Sequence, residues 1–333
     1  MKLLLTGGTG YIGSHTAIEL INQGYEVEIV DNLYNSKKEV LDSIKKITGK
    51  KPKFYQVDLL DYDKLDEIFK NTKYDGVIHF AGLKAVAESV EKPLRYYENN
   101  LGTTINLLKA MEKYGVNKII FSSSATVYGD QDGVKLTEDN QTGFGITNPY
   151  GQTKYMIEQI LKDASVANPN LEVAILRYFN PVGAHHSGLI GEDPNDIPNN
   201  LMPIIMKVAT GEIKKLQIFG DDYNTQDGTG MRDFIHVVDL AKGHVATLSK
   251  IKPGVSVYNL GTGKATSVME MVKAFEKAAG RELPYEIAGR RPGDLAKIYA
   301  DPTKAEKELG WHAELTIEDA MKDTINYLNH LQK

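Results

Sequence analysis

Near the amino terminus an apolar run, Leu3-Leu4-Leu5, passes straight into Thr6-Gly7-Gly8-Thr9-Gly10-Tyr11-Ile12-Gly13, and a second run from Glu26 to Val30 ends in Asp31. A strand that feeds a glycine turn, a helix and a second strand is a βαβ unit, whose two strands lie parallel in one sheet. Glycines at this spacing admit a bound group that a Cβ would block, and the helix start offers unpaired N–H groups and the positive end of its dipole. A carboxylate ending the second strand stands where ribose hydroxyls can donate to it. The glycines could serve chain reversal alone, but strand, turn, helix, strand and acid occur in the order a dinucleotide site requires. Asp31 also favours NAD over NADP, because a 2′-phosphate would meet like charge with no arginine nearby.

The alternation of short β-rich runs with longer amphipathic segments continues, with strands expected to begin at Lys2, Glu26, Lys53, Gly76, Lys118 and Leu171. Continuous runs such as Val77-Ile78-His79-Phe80 suit strands buried on both faces of a parallel sheet. The expected fold is α/β: a doubly wound parallel sheet of the Rossmann type with a smaller mixed α/β substrate domain. From Asn180 to Pro203 the chain carries four prolines and no clear period, which reads as an ordered loop at a domain boundary. Further periodic segments follow around Ile204 to Ala209, Phe234 to Ser249 and Val268 to Ala279. The expected division is a cofactor domain of residues 1–180 plus about 235–262, and a nucleotide-sugar domain of about 181–234 and 263–333. Leu94, Leu101, Ile105 and Leu108 form a helical stripe expected to face the core.

Composition narrows the function classes. A chain of 333 residues with 41% hydrophobic content can bury a large core, and a net charge of −5 with no basic tract gives no reason to expect nucleic acid. The absence of cysteine excludes disulfides and thiol nucleophiles and suits a cytoplasmic protein. The apolar start dies at Thr6-Gly7-Gly8, too short for a signal or a membrane span. The eight histidines, including His79 and His185-His186, lack zinc-ligand spacing, so no metal is expected.

Tyr150-Gly151-Gln152-Thr153-Lys154 places a phenol and an ammonium four residues apart at a helix start, on one face. A nearby cation favours phenolate and the oxidised nicotinamide would add a second positive charge, so Tyr150 is expected to act as a base well below its ordinary value near 10. Such a pair also arises by chance on surface helices. Upstream, Phe121-Ser122-Ser123-Ser124-Ala125-Thr126-Val127-Tyr128-Gly129 brings hydroxyls to the carboxyl end of a buried strand, the edge where doubly wound sheets bind ligands. Ser124 is the choice for the hydroxyl that meets the reacting oxygen, with Thr126 assisting; Ser122 and Ser123 could equally be turn residues. Asp58 either holds the adenine edge or caps the helix before Tyr62.

Together, TGGTGYIG, SSSATVYG, YGQTK and LRYFNPVGAH resemble the extended short-chain dehydrogenase/reductase family, specifically its UDP-hexose 4-epimerases, over essentially the whole chain. The resemblance implies that Ser124, Tyr150 and Lys154 are catalytic. It implies a cofactor shell of Gly7, Gly10, Tyr11, Ile12, Gly13, Asp31, Asn32, Asn35, Ser36, Asp58, Leu59, Phe80, Ala81, Gly82, Lys84, Asn99, Ser122, Tyr150 and Lys154, with Tyr178 and Phe179 flanking the nicotinamide. Lys84, Ser124, Thr126, Tyr150, Phe179, Asn180, Asn200, Leu201, Gln217, Ile218, Phe219, Arg232, Arg291, Asp294 and Ile298 would meet the UDP-sugar. Two guanidiniums suit a diphosphate through forked, charge-assisted bonds; for a lone arginine, surface salt bridging is the default reading.

The implied activity is that of an isomerase of galactose metabolism. Transient oxidation at sugar carbon 4, with hydride returned to either face, interconverts UDP-glucose and UDP-galactose on tightly held NAD. By the same resemblance, Ile298, smaller than the tyrosine of some members, would leave room for an N-acetyl group. The resemblance also implies a homodimer. Competing readings are a 4-epimerase of a UDP-pentose or UDP-uronate, a dehydratase, a decarboxylase, an NADH-releasing dehydrogenase, and a dinucleotide sensor without chemistry. A dehydratase would need an acid pair after the fifth strand, where Ser124-Ala125-Thr126 offers no carboxyl.

Overall fold

The computed structural model describes residues 1–195, 200–291 and 293–332. Part of the expected loop, Asp196 to Asn199, and Pro292 in the second arginine string lie outside the described residues. Seven parallel strands form the central sheet: β1 (Lys2–Thr6), β2 (Glu26–Asp31), β3 (Lys53–Gln56), β4 (Gly76–His79), β5 (Lys118–Ser124), β6 (Glu172–Tyr178) and β7 (Gly254–Leu260). Their order is β3-β2-β1-β4-β5-β6-β7, so the winding reverses between β1 and β4 and opens a crevice above their carboxyl ends.

The unbroken apolar runs follow from burial on both faces. Leu3 and Leu5 join one cluster with Ile29, Ile78 and Ile120 under helix α1 (Tyr11–Asn22) and helix Val237–Leu248. Leu4 points the other way, with Val77, Phe121 and Val173, under helix α2 (Pro93–Lys113) and helix α3 (Pro149–Ala167). A third cluster joins the helices Leu201–Thr210, Val268–Ala279 and Ile317–Leu331 with strand Leu216–Phe219. Among the described residues no helix is long and apolar enough to cross a membrane.

Several expectations need correction. The sixth strand starts at Glu172, and the seventh, Gly254–Leu260, was not expected: it is an edge strand with Ser256 and Asn259 among its apolar residues, so no continuous run marks it. The proline-rich stretch contains strand Asn180–Val182, paired in parallel with Phe234–His236, and helix Leu201–Thr210 begins inside its carboxyl end. Three residues are too few to display a period.

Only half of the stripe on α2 meets the core, where Leu101 and Leu108 pack against the second cluster. Leu94 is 80% exposed and Ile105 39%, with Leu101 and Leu108 only partly buried. The helix instead buries Tyr96, Asn100, Thr103, Thr104, Leu107, Ala110 and Met111. Its polar members find partners: Asn100 Nδ2 donates to Leu83 O and Thr153 Oγ1, and Thr104 shares a 3.0 Å hydrogen bond with His79 Nε2.

Candidate active site

The turn after β1 is built by close backbone approach. Gly7 has φ 69°, and a Cβ there would lie 2.7 Å from Ala81 N, in the segment that follows β4; one at Gly13 would lie 2.4 Å from Gly7 O. Helix α1 starts at Tyr11 with Gly10 as its N-cap and no side-chain cap, which leaves first-turn N–H groups for a ligand. Asp31 is locked before any ligand arrives: Oδ1 accepts from Leu33 N at 2.9 Å and Oδ2 from Thr9 N at 3.2 Å. Asp58 accepts from Asn32 Nδ2 at 2.9 Å and from Leu60 N, while Asp61 is the N-cap of helix Tyr62–Asn71. The capping role considered for Asp58 therefore falls to its neighbour.

The catalytic candidates converge from two elements. Strand β5 delivers Ser124, whose Oγ accepts from Thr126 N at 3.2 Å and Thr126 Oγ1 at 3.0 Å. Helix α3 opens with Asn148 capping Gly151 N at 2.8 Å and Pro149 in its first turn, which fixes Tyr150 and Lys154 on one face. Gly151 lets this start press on the β5 turn, since a Cβ would sit 3.1 Å from Thr126 Cβ.

Lys154 Nζ donates to Ser122 O at 2.5 Å and lies 4.8 Å from the Phe121 ring centroid and 5.8 Å from that of Tyr150. Burial lowers its pKa to about 7, opposed by the charge of Glu158 one turn on. Burial raises the Tyr150 phenol, and the Ser124 hydroxyl acts in the lowering direction. The expected acidification thus has the opposite sign in the chain by itself. The lysine head is committed to a carbonyl, and desolvation of the phenolate outweighs its influence.

One cleft of about 510 Å³ runs from the glycine turn past Ser124, Tyr150 and Lys154 to Asn200. It is lined by every residue expected in the cofactor shell, Asn35, Leu59, Phe80, Gly82, Lys84, Asn99, Tyr178 and Phe179 included. Tyr178 ties its hydroxyl to His244 Nε2. Of the expected substrate residues, Lys84, Ser124, Thr126, Tyr150, Phe179, Asn180 and Asn200 line it, whereas Leu201, Gln217, Ile218, Phe219, Arg232, Arg291, Asp294 and Ile298 do not.

These outliers fall into groups. Arg291 Nε donates to Asp294 Oδ2 at 2.8 Å and its guanidinium lies 4.8 Å from the Phe219 ring centroid. Arg232 Nη1 bonds two backbone carbonyls, Met231 O and Leu295 O, each at 2.8 Å, and Nη2 is 3.7 Å from Asp294 Oδ1. Ile218 is buried in the third cluster, which Leu201 packs against, so only its backbone could reach a ligand. Gln217 is exposed, and Ile298 packs with Phe179 in a small cluster beside the cleft.

Sequence reasoning missed cleft residues that no motif marks: Tyr34, Glu192 and Asp193 from loops, Arg95 from the first turn of α2 and Tyr327 from helix Ile317–Leu331. Arg95 matters for the NAD argument, because an arginine does line the cleft; its Nη1 is held by Glu88 Oε1 at 2.6 Å and its guanidinium stacks 4.9 Å from the Tyr34 centroid. The cradle that glycine alone permits, the uncapped helix start and the pre-anchored Asp31 fit a dinucleotide with a free 2′-hydroxyl.

Comparison with known proteins agrees. The profile of the NAD dependent epimerase/dehydratase family matches residues 3–261. The UDP-glucose 4-epimerase of Bacillus subtilis is 58% identical over 326 residues, 97% of this chain and 96% of that protein. The crystal structure of UDP-glucose 4-epimerase from Bifidobacterium longum, in complex with NAD+ and UDP, superposes with a TM-score of 0.96 at 57% identity, covering 99% of this chain and 98% of the other. The enzyme from Stenotrophomonas maltophila, with bound NAD and formylated UDP-arabinopyranose, gives a TM-score of 0.96 at 46% identity over 100% and 99% of the two chains. The chain belongs to the NAD dependent epimerase/dehydratase family, in the group of the UDP-glucose 4-epimerases.

Proposed function

We propose that the protein is an isomerase that interconverts UDP-glucose and UDP-galactose on tightly bound NAD. The observation that carries this reading is the meeting of Ser124, Tyr150 and Lys154 in the cleft whose other end is the glycine cradle. NAD, when bound, supplies a hydride acceptor and donor beside the sugar. Tyr150 takes the proton from the 4-hydroxyl and returns one later, while Ser124 hydrogen-bonds the same oxygen and keeps it aligned. Lys154 holds the α3 face to β5 through Ser122 O, and its ammonium favours the phenolate once a second cation stands nearby. Gly7, Gly10 and Gly13 admit the pyrophosphate, and Asp31 takes the adenosine ribose. Arg232 and Arg291 clamp the UDP diphosphate, so the hexose can turn over between removal and return of hydride.

The proposed division is a cofactor part of residues 1–180 plus about 235–262 and a nucleotide-sugar part of about 181–234 and 263–333. Its support is the third cluster, whose members run from Val182 to Phe234 and from Met271 to Leu328. Helix Thr303–Leu309 and Trp311 pack on the first cluster and so bridge the parts. A homodimer is supported by the exposed Leu94 and Ile105 on α2 and Val166 on α3; a monomeric mass in sedimentation equilibrium sinks it. The cysteine-free composition supports a cytoplasmic setting.

The test is to incubate purified protein separately with UDP-galactose and UDP-N-acetylgalactosamine, identify the products and measure dinucleotide released on denaturation. UDP-glucose formed without added NAD, with NAD released on denaturation, is the expected result. Net NADH accumulation, or dependence on stoichiometric external NAD, overturns the reading. Turnover of the acetylated sugar decides whether Ile298 leaves room for it.

A further inference from the structure

Glu192 is a cleft carboxylate that the reaction described above does not use. It is only 6% exposed, and its two oxygens have different surroundings. Oε1 accepts from Lys84 Nζ at 3.0 Å and from Asn200 Nδ2 at 2.7 Å, so it joins a residue of the cofactor shell to one of the substrate shell. Oε2 is buried and has no hydrogen-bond partner among the described residues. A buried carboxylate oxygen without a donor is costly, and native structures rarely leave one unpaired.

Three donors beside Glu192 are committed elsewhere. Lys84 and Asn200 bond the other oxygen, and the Tyr11 phenol, near enough for Glu192 to push its pKa up, gives its hydrogen to Gly183 O at 2.7 Å. A ligand that brings a donor satisfies Oε2. Phosphate is excluded by like charge, whereas sugar hydroxyls, abundant on both a dinucleotide and a sugar nucleotide, fit.

Resting on the function proposed above, we infer that Glu192 is a ligand-binding residue: Oε2 accepts a hydrogen bond from a sugar hydroxyl of bound ligand, while Oε1 positions Lys84 and Asn200. The hydroxyl belongs either to the hexose of the substrate or to a ribose of the dinucleotide, and the two sources separate experimentally.

Glu192→Gln keeps a carbonyl for Lys84 and Asn200 and replaces Oε2 with an amide group; Glu192→Ala removes both oxygens. For a hexose hydroxyl, E192Q raises KM for UDP-galactose about tenfold or more, while inhibition by UDP, which lacks the hexose, and NAD content stay at wild-type values. For a ribose hydroxyl, E192Q is purified with depleted NAD and binds added NAD about tenfold or more weakly. E192Q equal to wild type in all three readouts overturns the inference, whatever E192A does, because the residue is then only a strut.

Should E192Q not fold, wild-type protein is titrated with deoxy analogues of UDP-galactose and of NAD, each lacking one hydroxyl. One analogue losing about tenfold in affinity supports the inference, and equal affinities throughout both series overturn it. Wild-type turnover of UDP-galactose is the control. Its failure removes the proposed function, whereas a working wild type with an indistinguishable E192Q removes only this inference.

Discussion

Two banks, the cofactor side of the cleft and the arginine pair that lies outside its lining, are prepared for ligands in different ways. On the cofactor bank the groups facing the ligand are backbone N–H groups at an uncapped helix start and a carboxylate, Asp31, held by the backbone of Thr9 and Leu33. Little has to change partners when a dinucleotide enters. The arginines proposed to meet the UDP stand outside the cleft lining and are already engaged, Arg291 with Asp294 and Arg232 with two carbonyls and, more distantly, Asp294. On the proposed assignment, a diphosphate would compete with the Asp294 pairings. Preorganised donors give tight retention, and donors that must be exchanged give weaker, reversible binding. An enzyme that keeps its cofactor and releases its product needs this asymmetry.

The largest effect expected is on the chemistry where the banks meet. Tyr150→Phe removes the group proposed to move the proton, and turnover should fall roughly 10³-fold or more, with binding of UDP-sugar retained. Loss of UDP-sugar binding together with turnover, measured by calorimetry, would make Tyr150 a positional residue and blur the contrast.

Arg232→Met sharpens it directly. Affinity for UDP should fall roughly 10- to 100-fold with the NAD content of the purified protein unchanged. Loss of NAD in this variant would show that the banks are not separately prepared.

The smallest effect is on stability. Burial holds Lys154 at about 7, below its ordinary 10.5. Between those values the unfolded chain binds a proton that the folded chain does not, so stability rises with pH across this window and the full penalty applies below it. Lys154→Met, stripped of dinucleotide, should melt roughly 2–5 °C above wild type at pH 6.5, the lost bond to Ser122 O offsetting part of the gain. That margin should shrink toward pH 10. A margin that grows with pH contradicts this reading.

Much of this arrangement was legible in the chain. Leu3 to Leu5 and Val77 to His79 announced strands covered on both faces, and the glycine turn, Asp31 and the Tyr150–Lys154 spacing are local patterns whose geometry the backbone enforces. What was missed depends on distant partners. Strand Gly254–Leu260 carries no clean period because it lies at a sheet edge, and the Leu94 stripe fits a core-facing helix until the sheet shows which side of α2 it covers. Glu192 and Arg95 enter the cleft on segments with no motif, and Arg95 qualifies the argument that no arginine could meet a 2′-phosphate.

By itself the sequence determined the βαβ winding, the glycine turn and the placing of Tyr150 and Lys154 on one helix face, because each depends on residues within a few turns of one another. Only the tertiary structure decided the sign of the Tyr150 shift, which side of α2 is covered, and the joining of Lys84 to Asn200 through Glu192. Desolvation and long-range hydrogen bonds depend on what surrounds a group in space, and spacing along a chain does not encode that.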